Sequence, residues 1–125
     1  MRKEIVALVS GLFALGLCTA AAAQQDVTAD PTHHKLEFEN ECVRVVRANY
    51  GPHEKADAMF DAQAVVIVSL TGSQGFKLSF PDGNSVTTPA NYPGQVFWAP
   101  KGRIQSENLG DMRVEFIVIE PKGCQ

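Results

Sequence analysis

Residues 76–88 read FKLSFPDGNSVTT. Phe76, Leu78 and Phe80 alternate with Lys77 and Ser79, the period of a strand with one buried face. Pro81-Asp82-Gly83-Asn84 interrupts the run, and its Asp-Gly step is the turn chemistry of a tight β-hairpin. Residues 86–88 make the return strand. Upstream, residues 64–70 (AVVIVSL) are almost continuously apolar, as in a strand covered on both faces. Residues 42–50 (CVRVVRANY) are rich in β-formers, with Val43 and Val45 opposing Arg44, and Gly51-Pro52 ends them. Arg44 and Arg47, three apart, fall on opposite faces and form no anion clamp by themselves. Residues 36–39 (LEFE) alternate and are turned by Asn40-Glu41.

Downstream, residues 94–98 (GQVFW), 104–107 (IQSE) and 113–120 (RVEFIVIE) are divided by Pro100-Lys101-Gly102 and Asn108-Leu109-Gly110-Asp111. About eight short strands of even spacing result, and no window has a helical period. The pattern predicts one all-β sandwich or barrel.

The N-terminus is read apart from the fold. Arg2 and Lys3 precede the uncharged apolar run 5–17, and Ala21-Ala22-Ala23 supplies small residues before Gln24. This is the pattern of a signal peptide cleaved after Ala23, and the run is short for a bilayer span. A lipid anchor on Cys18 is disfavoured by bulky Leu17. The expected organisation is therefore a signal peptide at 1–23, a polar, flexible lead-in at 24–34 and a domain at 35–122, in a periplasmic or secreted protein. His33-His34 falls at the end of the lead-in or the start of the first strand; neighbours on a strand point to opposite faces and make a poor chelate, so the two read as a surface pair.

The chain has 125 residues, 45% apolar and 20% charged, in the globular range. Loss of Arg2, Lys3 and Glu4 takes the formal charge from −3 to −4. There is no basic stripe to track a phosphate backbone, so nucleic acid is not an expected partner. Two of the three cysteines, Cys42 and Cys124, outlast the signal, and export would let them pair. Such a bridge would stabilise the fold by roughly 4 kcal/mol in the chain-entropy model; a buried Cys42 beside a free tail thiol is the alternative.

The order of motifs resembles the small single-domain cupins, RmlC-like jelly rolls. The matching pieces are Asn40-Glu41-Cys42-Val43-Arg44-Val45, Gly51-Pro52-His53-Glu54-Lys55, the apolar strand, and Phe80-Pro81-Asp82-Gly83. Gly94-Gln95-Val96-Phe97-Trp98-Ala99-Pro100-Lys101-Gly102, continuing to Glu107-Asn108-Leu109-Gly110-Asp111, looks like the family's second box. The resemblance spans about 36–120. It implies a jelly-roll barrel with a pocket in its mouth, often dimeric, and a metal held by His-x-His, a carboxylate or glutamine, and a third histidine.

The chain departs from that ligand set. Counted from Gly51, the His-x-His positions fall on Met59 and Asp61, the next ligand position near Gln63, and the second-box position on Ile104, or Gln105 with a one-residue slip. A thioether, a carboxylate and an alkyl group do not make a transition-metal site, and Asp61 with Gln63 falls short of the six or more oxygens calcium takes. No metal and no cofactor is therefore expected. Met59, Asp61, Gln63 and Ile104 are expected to face the barrel interior, with Trp98 lining its mouth or sealing the core. Two classes of function remain open. One is a binding module for a small molecule or a partner; the other is a small enzyme, an isomerase, lyase or dioxygenase, with a non-standard site around Asp61. A structural role with homodimerisation through an edge strand is the third.

Overall fold

Short β-rich runs reach independent stability only by laying one apolar face against another. Among the described residues, 30–124 of a computed structural model, nine strands do so in two facing sheets, and the predicted signal peptide lies outside that range. The strands are β1 (His34–Glu39), β2 (Val43–Tyr50), β3 (Phe60–Ala62), β4 (Val65–Ser69), β5 (Phe76–Ser79), β6 (Ser85–Thr87), β7 (Val96–Ala99), β8 (Gly102–Asn108) and β9 (Val114–Pro121). One sheet runs β1-β2-β9-β4-β7 and the other β3-β8-β5-β6, and each neighbouring pair is antiparallel. This is the expected all-β jelly roll. The one strand absent from the sequence reading is β3, whose three residues are too few to display a period.

Period two decides which side chains meet between the sheets. Along β2, Arg44, Val46, Ala48 and Tyr50 are buried while the residues between them are half-covered. Ala48 and Tyr50 join Ala56, Phe76, Val114 and Phe116 in the core. The two arginines of β2 do face opposite sides: Arg44 is buried and bonded to Glu39, whereas Arg47 bonds Glu37 and Glu115. The hairpin around Asp82-Gly83 joins β5 to β6 in register Leu78↔Val86, and Gly83 takes the positive φ of 86° that the tight turn needs.

Beyond the sheets, two ties hold the chain ends. Cys42 and Cys124 are joined in a disulfide with Cα atoms 4.3 Å apart, pinning the tail to the start of β2. At the other end, residues 30–34 pack onto the domain: Asp30, His33 and His34 are all buried. The surface histidine pair expected from sequence is corrected here. Its two rings do point apart, but each direction meets protein.

Candidate functional site

The inner faces of the two sheets leave a cavity of about 400 Å³ between them, a size that suits a small ligand. Its wall is apolar, with the rings of Tyr50, Phe60, Phe76, Phe80, Phe97 and Phe116 set among aliphatic side chains. Burial deepens along the inward positions of β8: Gly102 is exposed, Ile104 half-covered, and Ser106 and Asn108 buried. The mouth therefore lies at the β7–β8 turn, where Pro100, Lys101 and Gly102 join the lining. The floor lies where Tyr50, Ser106 and Phe76 converge. Beneath it Asn108, fully buried, donates from Nδ2 to the carbonyls of Gly51 and Met112 at 2.9 and 2.8 Å. Its Oδ1 accepts from Gly110 N–H at 3.0 Å, so one amide holds two loops in place.

A polar point interrupts the apolar floor. His34 opens β1 and lines the cavity, with its Nε2 3.2 Å from the Tyr50 hydroxyl and its ring edge-on to Phe60. Burial holds the imidazole below its ordinary pKa of 6.5, against the pull of Asp30, and nearby His33 acts in the same direction as burial. Burial likewise pushes the Tyr50 phenol well above its ordinary 10, aided by Asp30 and opposed by a hydrogen bond from Ser106. Both groups are thus neutral near pH 7. Among the described residues, only Glu120 Oε2 is both fully buried and unbonded. His34 Nδ1 has no hydrogen-bond partner among the described residues and is not fully buried, so the ring keeps spare hydrogen-bonding capacity.

His33, one residue earlier, does the opposite. Its Nδ1 sits 2.8 Å from both Asp30 carboxylate oxygens, and its Nε2 3.1 Å from Glu54. The ring stacks on Tyr50 with centroids 4.5 Å apart. The Asp30 carboxylate also accepts from the backbone N–H of His33 and of Asp57, each at 3.3 Å. Glu54 accepts from Gly51 N–H at 2.8 Å, which with His33 holds its carboxyl below the usual range. These residues clasp the entry of β1 to the loop after β2. Asp30, His33 and Asp57 bring metal-competent atoms within 4.8 Å of one another, yet the buried carboxylate is already taken up by N–H donors.

The residues expected from sequence divide. Gln63 and Ile104 line the cavity; Met59, Asp61 and Trp98 do not. The register Phe60↔Ile104, Asp61↔Arg103, Ala62↔Gly102 gives the reason. Ile104 points inward, so Phe60 and Ala62 do too, and Asp61 is exposed beside Arg103 on the outer side. Counting from Gly51 set the parity one residue early. Trp98 suffers the same parity: Phe97 and Ala99 face the cavity, while Trp98, 59% exposed, pairs with Val66 on the outer face of its sheet. His53 lies in the loop after β2 at φ 58°, rare for a side-chain-bearing residue, and bonds exposed Asp111 at 2.7 Å away from the cavity.

The corrected parity does not restore a metal ligand set. At the His-x-His positions the inward residues are Phe60 and Ala62, and the second-box position is Ile104. The lining holds one imidazole, His34 from β1, and no carboxylate or thiolate. One imidazole with a glutamine does not fit a metal of the kind the resemblance implies.

The sequence matches no protein-family model and no curated protein. Solved structures do match. A cupin domain from Bordetella pertussis Tohama I superposes with TM-score 0.62 at 25% identity, covering 72% of this chain and 92% of that one. An RmlC-like cupin with a double-stranded β-helix fold from Methanocaldococcus jannaschii gives 0.54 at 13% identity, over 82% and 84%. The polyketide cyclase RemF from Streptomyces resistomycificus gives 0.52 at 16% identity, over 98% and 80%. By these likenesses the chain has the fold of the RmlC-like, double-stranded β-helix cupins.

Proposed function

We propose that this cupin-fold protein is exported and binds a small, mostly apolar molecule in its barrel, holding it without a metal ion. The observation that carries this reading is the apolar, ring-bearing cavity with one neutral hydrogen-bonding point, His34 and Tyr50, at its floor. Apolar walls offer area and shape, while the floor fixes orientation, the division of labour usual in small-molecule sites. A ligand hydroxyl suits the floor, because a hydroxyl both donates and accepts and so meets either imidazole tautomer. Export rests on the N-terminal pattern and agrees with the Cys42–Cys124 bridge.

The test uses 2-naphthol as a neutral probe. Isothermal titration of the exported, tag-free protein is expected to give saturable one-to-one binding. Ile104→Trp, which fills the cavity with an indole, should weaken binding at least tenfold while the protein stays folded. Absence of binding, or binding indifferent to Ile104→Trp, overturns the reading. The metal-free clause has its own check. Melting temperature should not move with added manganese, iron, nickel or zinc, and a purified stoichiometric metal would contradict it. For export, N-terminal sequencing of the periplasmic or secreted product should begin at Gln24.

A further inference from the structure

The mouth of the cavity carries a charge that the binding reading does not use. Lys101, in the turn between β7 and β8, is exposed and joins the lining beside Pro100 and Gly102. No Asp, Glu or Arg is in that lining, so the one formal charge on the cavity surface is positive, in a chain whose formal charge is −3. Lys101 makes no ion pair among the described residues, although seven other pairs form around them. Asp61, on the strand paired with β8, faces outward in register with Arg103 and is not part of the lining. At the other end, the floor offers a neutral donor and acceptor from His34 and Tyr50. The two ends thus select different groups, and the ring-bearing wall between them selects what joins those groups.

We infer that the ligand of this cavity is a flat aromatic acid with a hydroxyl at its far end, the carboxylate on Lys101 at the mouth and the hydroxyl on His34 and Tyr50 at the floor. The inference rests on the binding reading above and names its ligand class. Lys101 is a recognition residue in this scheme: its four-carbon stem lies along the apolar rim and its ammonium meets the acid at the edge of water. The attraction is expected to be modest, because the mouth is open to solvent and salt.

Three probes separate the parts: 2-naphthol carries the hydroxyl alone, 2-naphthoate the acid alone, and 6-hydroxy-2-naphthoate both at opposite ends. The doubly substituted probe should bind about fivefold more tightly than 2-naphthol at low salt, an advantage of the size exposed charge pairs supply. Lys101→Met keeps the stem and removes the charge on a surface turn. It should abolish that advantage, so that 6-hydroxy-2-naphthoate and 2-naphthol bind the variant equally. Tyr50→Phe should weaken both hydroxylated probes and spare 2-naphthoate; if that variant does not fold, Ser106→Ala provides the same comparison. Equal affinity for 6-hydroxy-2-naphthoate and 2-naphthol overturns the inference, as does an advantage that survives Lys101→Met. In either case tight 2-naphthol binding would leave the binding reading standing, whereas failure of all three probes would remove both.

Discussion

His33 and His34 are neighbours in the chain, and both are buried, yet they occupy opposite kinds of environment. Around His33 the polar atoms are accounted for: both ring nitrogens meet carboxylates, and Asp30 is bonded by N–H groups from three directions. Around His34 one nitrogen contacts Tyr50 and the other has no partner among the described residues, on a ring that lines an apolar cavity. A saturated buried network holds structure, because any change strands a partner. A buried polar group with spare capacity next to empty space is where a ligand gains a hydrogen bond. The same turn of chain thus supplies a clasp on one side and a recognition point on the other.

The strongest way to break the clasp is Asp30→Ala. It strands the His33 ring Nδ1 and the Asp57 backbone N–H, while the His33 backbone N–H keeps the Asp30 carbonyl. The expected loss is about 3 kcal/mol by urea unfolding, with 2-naphthol affinity kept in the folded fraction. Tyr50→Phe acts on the other side and removes a single hydroxyl. His34 then faces a cavity that tolerates a vacancy, so the expected loss is about 1 kcal/mol, while affinity for hydroxylated probes falls about tenfold. A reversal of these two stabilities would mean that the floor, not the clasp, holds the fold.

Acid sharpens the same contrast, in separate windows. The His34 pKa is lowered by burial, so the unfolded chain binds its proton more readily than the folded one. Its contribution is complete above the unfolded value of 6.5 and is lost as pH falls below that toward the folded value. Glu54, held below its ordinary 4.5 chiefly by Gly51 N–H, contributes above that value and loses its contribution only at lower pH. Melting curves from pH 8 to 5 should therefore decline, and His34→Gln should flatten the decline. Glu54→Gln should leave that window unchanged and cause the smallest fall in melting temperature of the set, since its carboxylate is half-exposed.

The fold was readable because its evidence repeats along the chain. Alternation in residues 76–80, the Asp82-Gly83 turn and the apolar run 64–70 each name a strand or a turn, and the sheets assemble them as named. The site was readable only in part. Ile104 follows a clear Pro-x-Gly turn and lines the cavity, as does Gln63. Met59 and Asp61 were set one residue out of phase because β3 is three residues long and follows an irregular loop, leaving no period from which to count. Phe97 and Trp98 are adjacent aromatics, so either parity puts a large ring inside, and only pairing with β4 decides between them. His34 reads as a surface residue from sequence because its neighbours are polar. Nothing local shows that Asp30 folds back to bury the turn, since its partners include Asp57, 27 residues on.

The central claim is that the cavity, with His34 at its floor and His33 outside it, is the binding site. The most direct test is the ¹⁵N spectrum of the two imidazoles, recorded with and without saturating 2-naphthol. The account predicts that the ring nitrogens of His34 shift on binding while those of His33 stay in place. Bound 2-naphthol that leaves His34 unmoved, or moves His33 by as much, would contradict it.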